Sequence, residues 1–116
     1  MNQIKHIFSA VKNSVNGLKT VFKNEIAFRQ DLLIVLIGCC ALPFLHIDML
    51  AKCLLGFSLM LILIAELVNT AIENVVDRIG TEYNELSKIA KDIGSAIVMI
   101  TLISVFVLWF VVVLCL

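Results

Sequence analysis

With 116 residues, 61% of them hydrophobic, and a mean hydropathy of +1.06, the chain lies above the roughly 45–50% apolar usage of soluble domains and calls for lipid around it. There is room for one domain, and three spans of about 20 residues each would use more than half of it, which leaves no space for a separate soluble domain. Nine Lys+Arg balance nine Asp+Glu, so net charge gives no reason to expect nucleic acid, and the information lies in where the charges stand.

Residues 1–31 lack a short apolar core followed by a small-residue cleavage site, so they are read as part of the mature protein. Ile4, Ile7, Phe8, Val11, Val15, Leu18 and Phe22 recur at spacings of three and four, the period of an amphipathic helix. Lys5, Lys12, Lys19 and Lys23 line one edge of that stripe. The pattern predicts a surface helix over residues 1–27 that lies in the membrane interface with its lysine stems reaching toward headgroups. Gly17 is a candidate interruption.

The first strongly apolar run covers residues 32–47; a helix that begins near Phe28 and keeps Arg29 and Asp31 at the interface makes a span of 28–47, with Pro43 marking its far end. After a break at His46 and Asp48, the pattern predicts a second span over 49–76, stopped by Gly80. The third, 93–116, is the longest and carries no charge. The expected architecture is an all-α membrane protein, an amphipathic surface helix followed by three transmembrane helices. Five of the nine basic residues precede the first span, Lys52 stands near the first loop, and Arg78, Lys88 and Lys91 lie between the second and third spans. The positive-inside rule then puts the N-terminus and the predicted 77–92 loop in the cytoplasm and the C-terminus opposite. Cys39, Cys40, Cys53 and Cys115 all lie in apolar runs without a CxxC pair or a histidine at ligand spacing, so they read as packing residues.

The second span is unusual in carrying Glu66, Asn69, Glu73 and Asp77, which fall within about 80° of one another on a 3.6-residue helix. The apolar stretch before them, 49–65, is shorter than a full crossing, so Glu66 is expected about one turn inside the cytoplasmic interface. A carboxylate there is costly and marks a functional site by default. Polar glue between helices is the simpler alternative, but glue does not need three carboxylates and an amide aligned over three turns. With no His or Cys in the stripe, the acids suit Mg²⁺, which takes one or two protein carboxylates and completes its shell with phosphate oxygens and water. Glu66 and Glu73 are about 10.5 Å apart along the axis, too far to share one ion but suited to separate roles, one on metal and one on a proton. Glu82, Glu85, Lys88, Lys91 and Asp92 follow. Such a run is either a solvated loop or a source of lysine for phosphate neutralisation, and taken alone it reads as the first. Neither a GxxxxGKS/T phosphate loop nor the glycine loop with HRD and DFG elements is present.

Residues 65–87, AELVNTAIENVVDRIGTEYNELS, with 90–96, AKDIGSA, and 24–30, NEIAFRQ, closely resemble the bacterial integral-membrane diacylglycerol kinases. The similarity covers nearly the whole chain in the same order and is weakest over the first twenty residues. It implies a homotrimer of three-span subunits in the bacterial cytoplasmic (inner) membrane, with sites shared between neighbouring subunits on the cytoplasmic side. The implied reaction moves the γ-phosphoryl of Mg·ATP to the hydroxyl of diacylglycerol and forms phosphatidic acid. By the same resemblance Glu66 is the catalytic base with Asn69 beside it, and Glu25 and Glu73 bind magnesium. Glu82, Tyr83, Asn84, Lys91 and Asp92 would contact nucleotide, with Lys91 placed to meet phosphate and Lys91 and Asp92 also serving catalysis. Implied lipid contacts are Ser14, Lys19, Phe22, Phe28, Arg29, Gln30, Asp31, Lys52 and Ser95, together with Glu66. The family commonly has arginine where this chain has His6 and tyrosine where it has Asn13, two nucleotide-contact positions that these departures weaken. Three alternatives remain: the related undecaprenol kinases, which share the acid motif although the 77–86 segment looks more like the diacylglycerol enzymes; a small cation-coupled transporter subunit, which leaves Glu25, Lys91 and Asp92 unexplained; and a purely structural membrane subunit, which needs no aligned acids.

Overall fold

The computed structural model describes residues 2–115, and among these the chain is entirely helical and without strands. Helices α1 (Asn2–Asn24), α2 (Ile26–Ala41), α3 (Met49–Ile79) and α4 (Glu85–Phe110) follow in order; a 3-10 turn, Leu42–Phe44, closes α2 and a π-helical turn, Val111–Cys115, extends α4. Three stretches, Ile26–Phe44, Met49–Ile79 and Glu85–Cys115, are long and apolar enough to cross a membrane.

Local chemistry sets the boundaries. Pro43 sits in the 3-10 turn, at a helix end where its missing N–H is tolerated. Asp48 starts α3 by accepting the Ala51 N–H at 2.8 Å, and Asn84 starts α4 by accepting the Ser87 N–H at 3.2 Å. Each cap satisfies one of the orphan donors of a helix start. Gly80 ends α3 with its N–H still reaching the Val76 carbonyl at 3.2 Å. Two expectations are corrected. Gly17 does not interrupt α1: a glycine costs about 1 kcal/mol relative to alanine, too little to break a helix of 23 residues. The predicted 77–92 loop is largely helical, because α3 runs to Ile79 and the Asn84 cap launches α4 at Glu85, leaving only residues 80–84 between them.

Helix α3 is the centre of the bundle. Leu55, Ser58, Leu59, Ile62, Ala65, Glu66 and Thr70 are buried along it at helical spacing, against α2 on one side and α4 on the other. Val35 of α2, Leu59 and Ile62 of α3 and Val105 of α4 form the apolar core, with Leu63 and Trp109 beside it. The Trp109 indole N–H donates to Ser58 Oγ at 3.1 Å, which itself donates to the Leu55 carbonyl at 2.6 Å, so the ring is tied across α3 and α4. Most other apolar side chains face outward, among them Ile37, Ile103 and Phe106; such a surface is stable only against lipid or further helices. The radius of gyration, 17.4 Å, exceeds the about 13 Å of a compact domain of this length, partly because α1 leans on α2 and buries none of its own residues.

Helices α2 and α3 approach closely at Gly38, where an added Cβ would stand 2.8 Å from Leu59 Cδ1. Alanine there meets only the end of a flexible side chain, whereas valine forces the helices apart, at a cost of about 1–3 kcal/mol. Thermal unfolding in detergent should therefore show a clearly lowered midpoint for Gly38→Val and little change for Gly38→Ala.

Candidate active site

Glu66 lies about 25 Å along the axis from Met49, near the far edge of a roughly 30 Å hydrocarbon layer entered at that residue. It is 6% exposed, and its carboxyl lies within electrostatic range of that of Asp31 on α2, 9% exposed. Thr70, one turn further along α3, is also buried, and its Oγ1 has no partner within the chain; neither has Asp31 Oδ2. An unpaired buried polar atom costs about 1–3 kcal/mol. The seam between α2 and α3 is thus chemically suited to a hydroxyl or water brought from outside the chain.

One turn along α3 from Glu66, Asn69 Nδ2 donates to Glu73 Oε1 at 3.0 Å, while Asn69 Oδ1 is buried without a partner. Gly94 of α4 packs directly on that oxygen, and a Cβ on Gly94 would overlap it. Glu73 keeps its second oxygen for other ligands. Among the described residues no three His, Cys, Asp or Glu side chains converge as a metal-binding group. Glu25 and Glu73 nevertheless lie within electrostatic range of Glu66, and a pair of carboxylates is the protein share that Mg²⁺ takes when phosphate and water complete its shell.

The α3–α4 turn forms a cleft of about 340 Å³ whose lining includes Asp77, Glu82, Tyr83, Asn84, Lys91 and Asp92. Lys91 Nζ donates to Asp77 Oδ1 at 2.8 Å across the turn, and Lys88 Nζ to Asp92 Oδ2 at 2.8 Å along α4. The structure therefore gathers all five of the nucleotide-contact residues implied for this segment. Asn84 is the cap of α4. Asp77, which the sequence placed on the polar face without a role, is the partner of Lys91.

The α1–α2 joint is a single residue, Glu25, in extended conformation with φ −114° and ψ 113°. Arg29 closes it: its guanidinium donates to the carbonyls of Phe22 at 2.7 Å and Lys23 at 3.0 Å, capping the last turn of α1. Of the other implied lipid contacts, Phe28 is buried, Ser14 bonds back to the Ala10 carbonyl, and Lys19, Phe22, Gln30 and Ser95 are exposed. Lys52 stands about 21 Å along α3 from Glu66, near the opposite end of the span. His6 and Asn13 are exposed on α1. Sequence reasoning gave no weight to Thr70 or Gly94; the signal for Gly94 was a small residue in an apolar helix, a usual mark of close approach.

Fold and site together define a class: a small three-span helical protein with buried carboxylates inside its bundle and a lysine-lined cleft at one end. The family model for prokaryotic diacylglycerol kinase matches residues 12–113. The chain is similar to curated diacylglycerol kinases from Escherichia coli, at 46% identity over 89% of this chain and 84% of that one, and from Haemophilus influenzae, at 43% over 91% and 90%. A third from Helicobacter pylori shares 38% over 90% and 82%. The chain belongs to the prokaryotic diacylglycerol kinase family. A kinase family implies ATP as co-substrate. Of the implied site residues only His6 falls outside the matched segment.

Gly94→Ala should displace the Asn69 amide and break its bond to Glu73. We expect turnover to fall at least tenfold, whereas Gly17→Ala, where nothing lies within 4 Å of an added Cβ, leaves it unchanged; a phosphoryl-transfer assay on both variants decides.

Proposed function

We propose that the chain is an ATP-dependent diacylglycerol kinase, transferring the γ-phosphoryl of ATP to the free hydroxyl of 1,2-diacylglycerol and yielding phosphatidic acid and ADP. The observation that carries this reading is the position of Glu66: a carboxylate buried inside a span at interfacial depth, on the same helix that ends in a lysine-lined cleft. A reaction between a lipid hydroxyl and a water-soluble nucleotide needs both environments within one short distance. In this reading Glu66 accepts the proton of the lipid hydroxyl as its oxygen attacks the γ-phosphorus; the bond to the β–γ bridging oxygen breaks and ADP leaves. Asp31 is buried near Glu66, and the open hydrogen-bonding capacity of Asp31 and Thr70 suits the glycerol end of the lipid.

Lys91 supplies donors to the terminal phosphates as charge redistributes, and Glu82, Tyr83, Asn84 and Asp92 hold the rest of the nucleotide. Glu25 and Glu73 would hold Mg²⁺, which neutralises phosphate charge when bound. Asn69 fixes the Glu73 carboxylate for that task. The exposed apolar residues and flanking lysines of helix α1 suit the cytoplasmic face of the inner membrane, and the positive-inside count favours the same side for the site. The outward apolar faces of α2–α4 support assembly as a homotrimer, in which a neighbour's segment completes each site.

Protein in mixed micelles should transfer labelled phosphate from Mg·ATP to diacylglycerol. Labelling of undecaprenol alone would move the substrate assignment to a polyprenyl alcohol, and labelling of neither would end the kinase reading. Glu66→Gln should keep Mg·ATP binding and lose turnover by at least a hundredfold, in the range expected for removing a general base; wild-type turnover in that variant would remove Glu66 from the chemistry.

A further inference from the structure

Asp77 stands eleven residues beyond Glu66, at the end of α3, and is the one member of the polar face that the proposed reaction leaves without a task. Its Oδ1 accepts from Lys91 Nζ at 2.8 Å across the α3–α4 turn. Both side chains are about half exposed, 53% for Asp77 and 43% for Lys91. A solvated ion pair of that kind contributes little to stability, so holding two helix ends together is a poor account of it. Geometry is a better one. A lysine ammonium has three donors on a four-carbon stem with many rotamers, and an unpaired lysine at a cleft samples them all. The bond to Asp77 spends one donor, fixes Nζ against the cleft wall and leaves two N–H groups for phosphate oxygens. The second lysine of the cleft, Lys88, is held differently, by Asp92 one turn away on its own helix, so it does not substitute for the cross-turn pair.

We propose that Asp77 is a positioning residue for Lys91, holding the ammonium at the diphosphate end of the nucleotide, about 16 Å along α3 from Glu66, where negative charge builds as the phosphoryl group departs. The proposal rests on the phosphate role read for Lys91 above. It requires Asp77 to act on the reaction step more than on nucleotide binding, because a free lysine still attracts a polyphosphate but meets the transition state in the right place only part of the time.

The experiment measures steady-state kinetics against Mg·ATP in mixed micelles for Asp77→Asn, Asp77→Glu, Lys91→Met and the exchanged pair Asp77→Lys with Lys91→Asp, with thermal midpoints for each. Asp77→Asn should lower kcat at least tenfold with KM for Mg·ATP changed less than threefold and the midpoint nearly unchanged. Asp77→Glu should recover part of the loss. The exchanged pair keeps an ion pair across the turn and should stay inactive, since the cation then projects from the wrong helix; recovered turnover would show that the pair is only a tether and overturn the proposal. Wild-type kcat in Asp77→Asn, with Lys91→Met inactive, would overturn it as well. Wild-type turnover in Lys91→Met would instead sink the phosphate role of Lys91, and with it the reading on which this inference rests.

Discussion

Keeping the Glu66 carboxylate inside a membrane span costs several kcal/mol of lost hydration, and much of the surrounding structure is arranged around that cost. Asp31 on α2 is buried against it, Thr70 lies one turn further along the same face, and Asn69 beside it is locked between Glu73 and Gly94. None of these contacts fully satisfies the polar atoms present: Asp31 Oδ2, Asn69 Oδ1 and Thr70 Oγ1 all lack partners within the chain. In a fold retained for stability alone such atoms would be replaced by apolar ones. They gather on α2 and α3 beside Glu66, and they leave hydrogen-bonding capacity there for a group from outside the chain.

The two ends of α3 do different work because the helix is longer than the membrane is thick. Thirty-one residues make about 46 Å of helix against about 30 Å of hydrocarbon. The end that begins at Asp48 is packed by the apolar core and by the Trp109–Ser58 bond. The end that stops at Gly80 reaches past the apolar layer and carries charge. A single rigid element thereby spans the environment of a lipid hydroxyl and that of a polyphosphate, with no flexible linker between them.

Much of this was legible in the sequence. The 3.6 period exposed the acid face of α3, and the apolar runs gave all three stretches long and apolar enough to cross a membrane. What was not legible depended on tertiary register or on competing local signals. Charged residues between 82 and 92 read as a loop, because a solvated run and a charged first turn of helix have the same composition; the Asn84 cap and the Lys88–Asp92 spacing were the local clues to helix. Asp31 read as an interfacial residue because nothing in α2 alone says that it meets Glu66. Arg29 stood as a lipid contact only through the family resemblance, and the folded joint shows it bonded to the carbonyls of Phe22 and Lys23.

That joint has a consequence for which lengths of chain the fold tolerates. With Glu25 the single residue between two helices and Arg29 clamping across it, there is no slack to absorb an insertion or deletion. Each added residue would turn α1 by about 100° about its axis relative to α2, swinging Ile4, Phe8 and Val11 away from the surface they now share and moving Glu25 off its bearing. The turn at residues 45–48 carries no comparable constraint. Length variation among related chains should therefore accumulate at that turn and at the ends, while the spacing from Phe22 through Arg29 stays fixed.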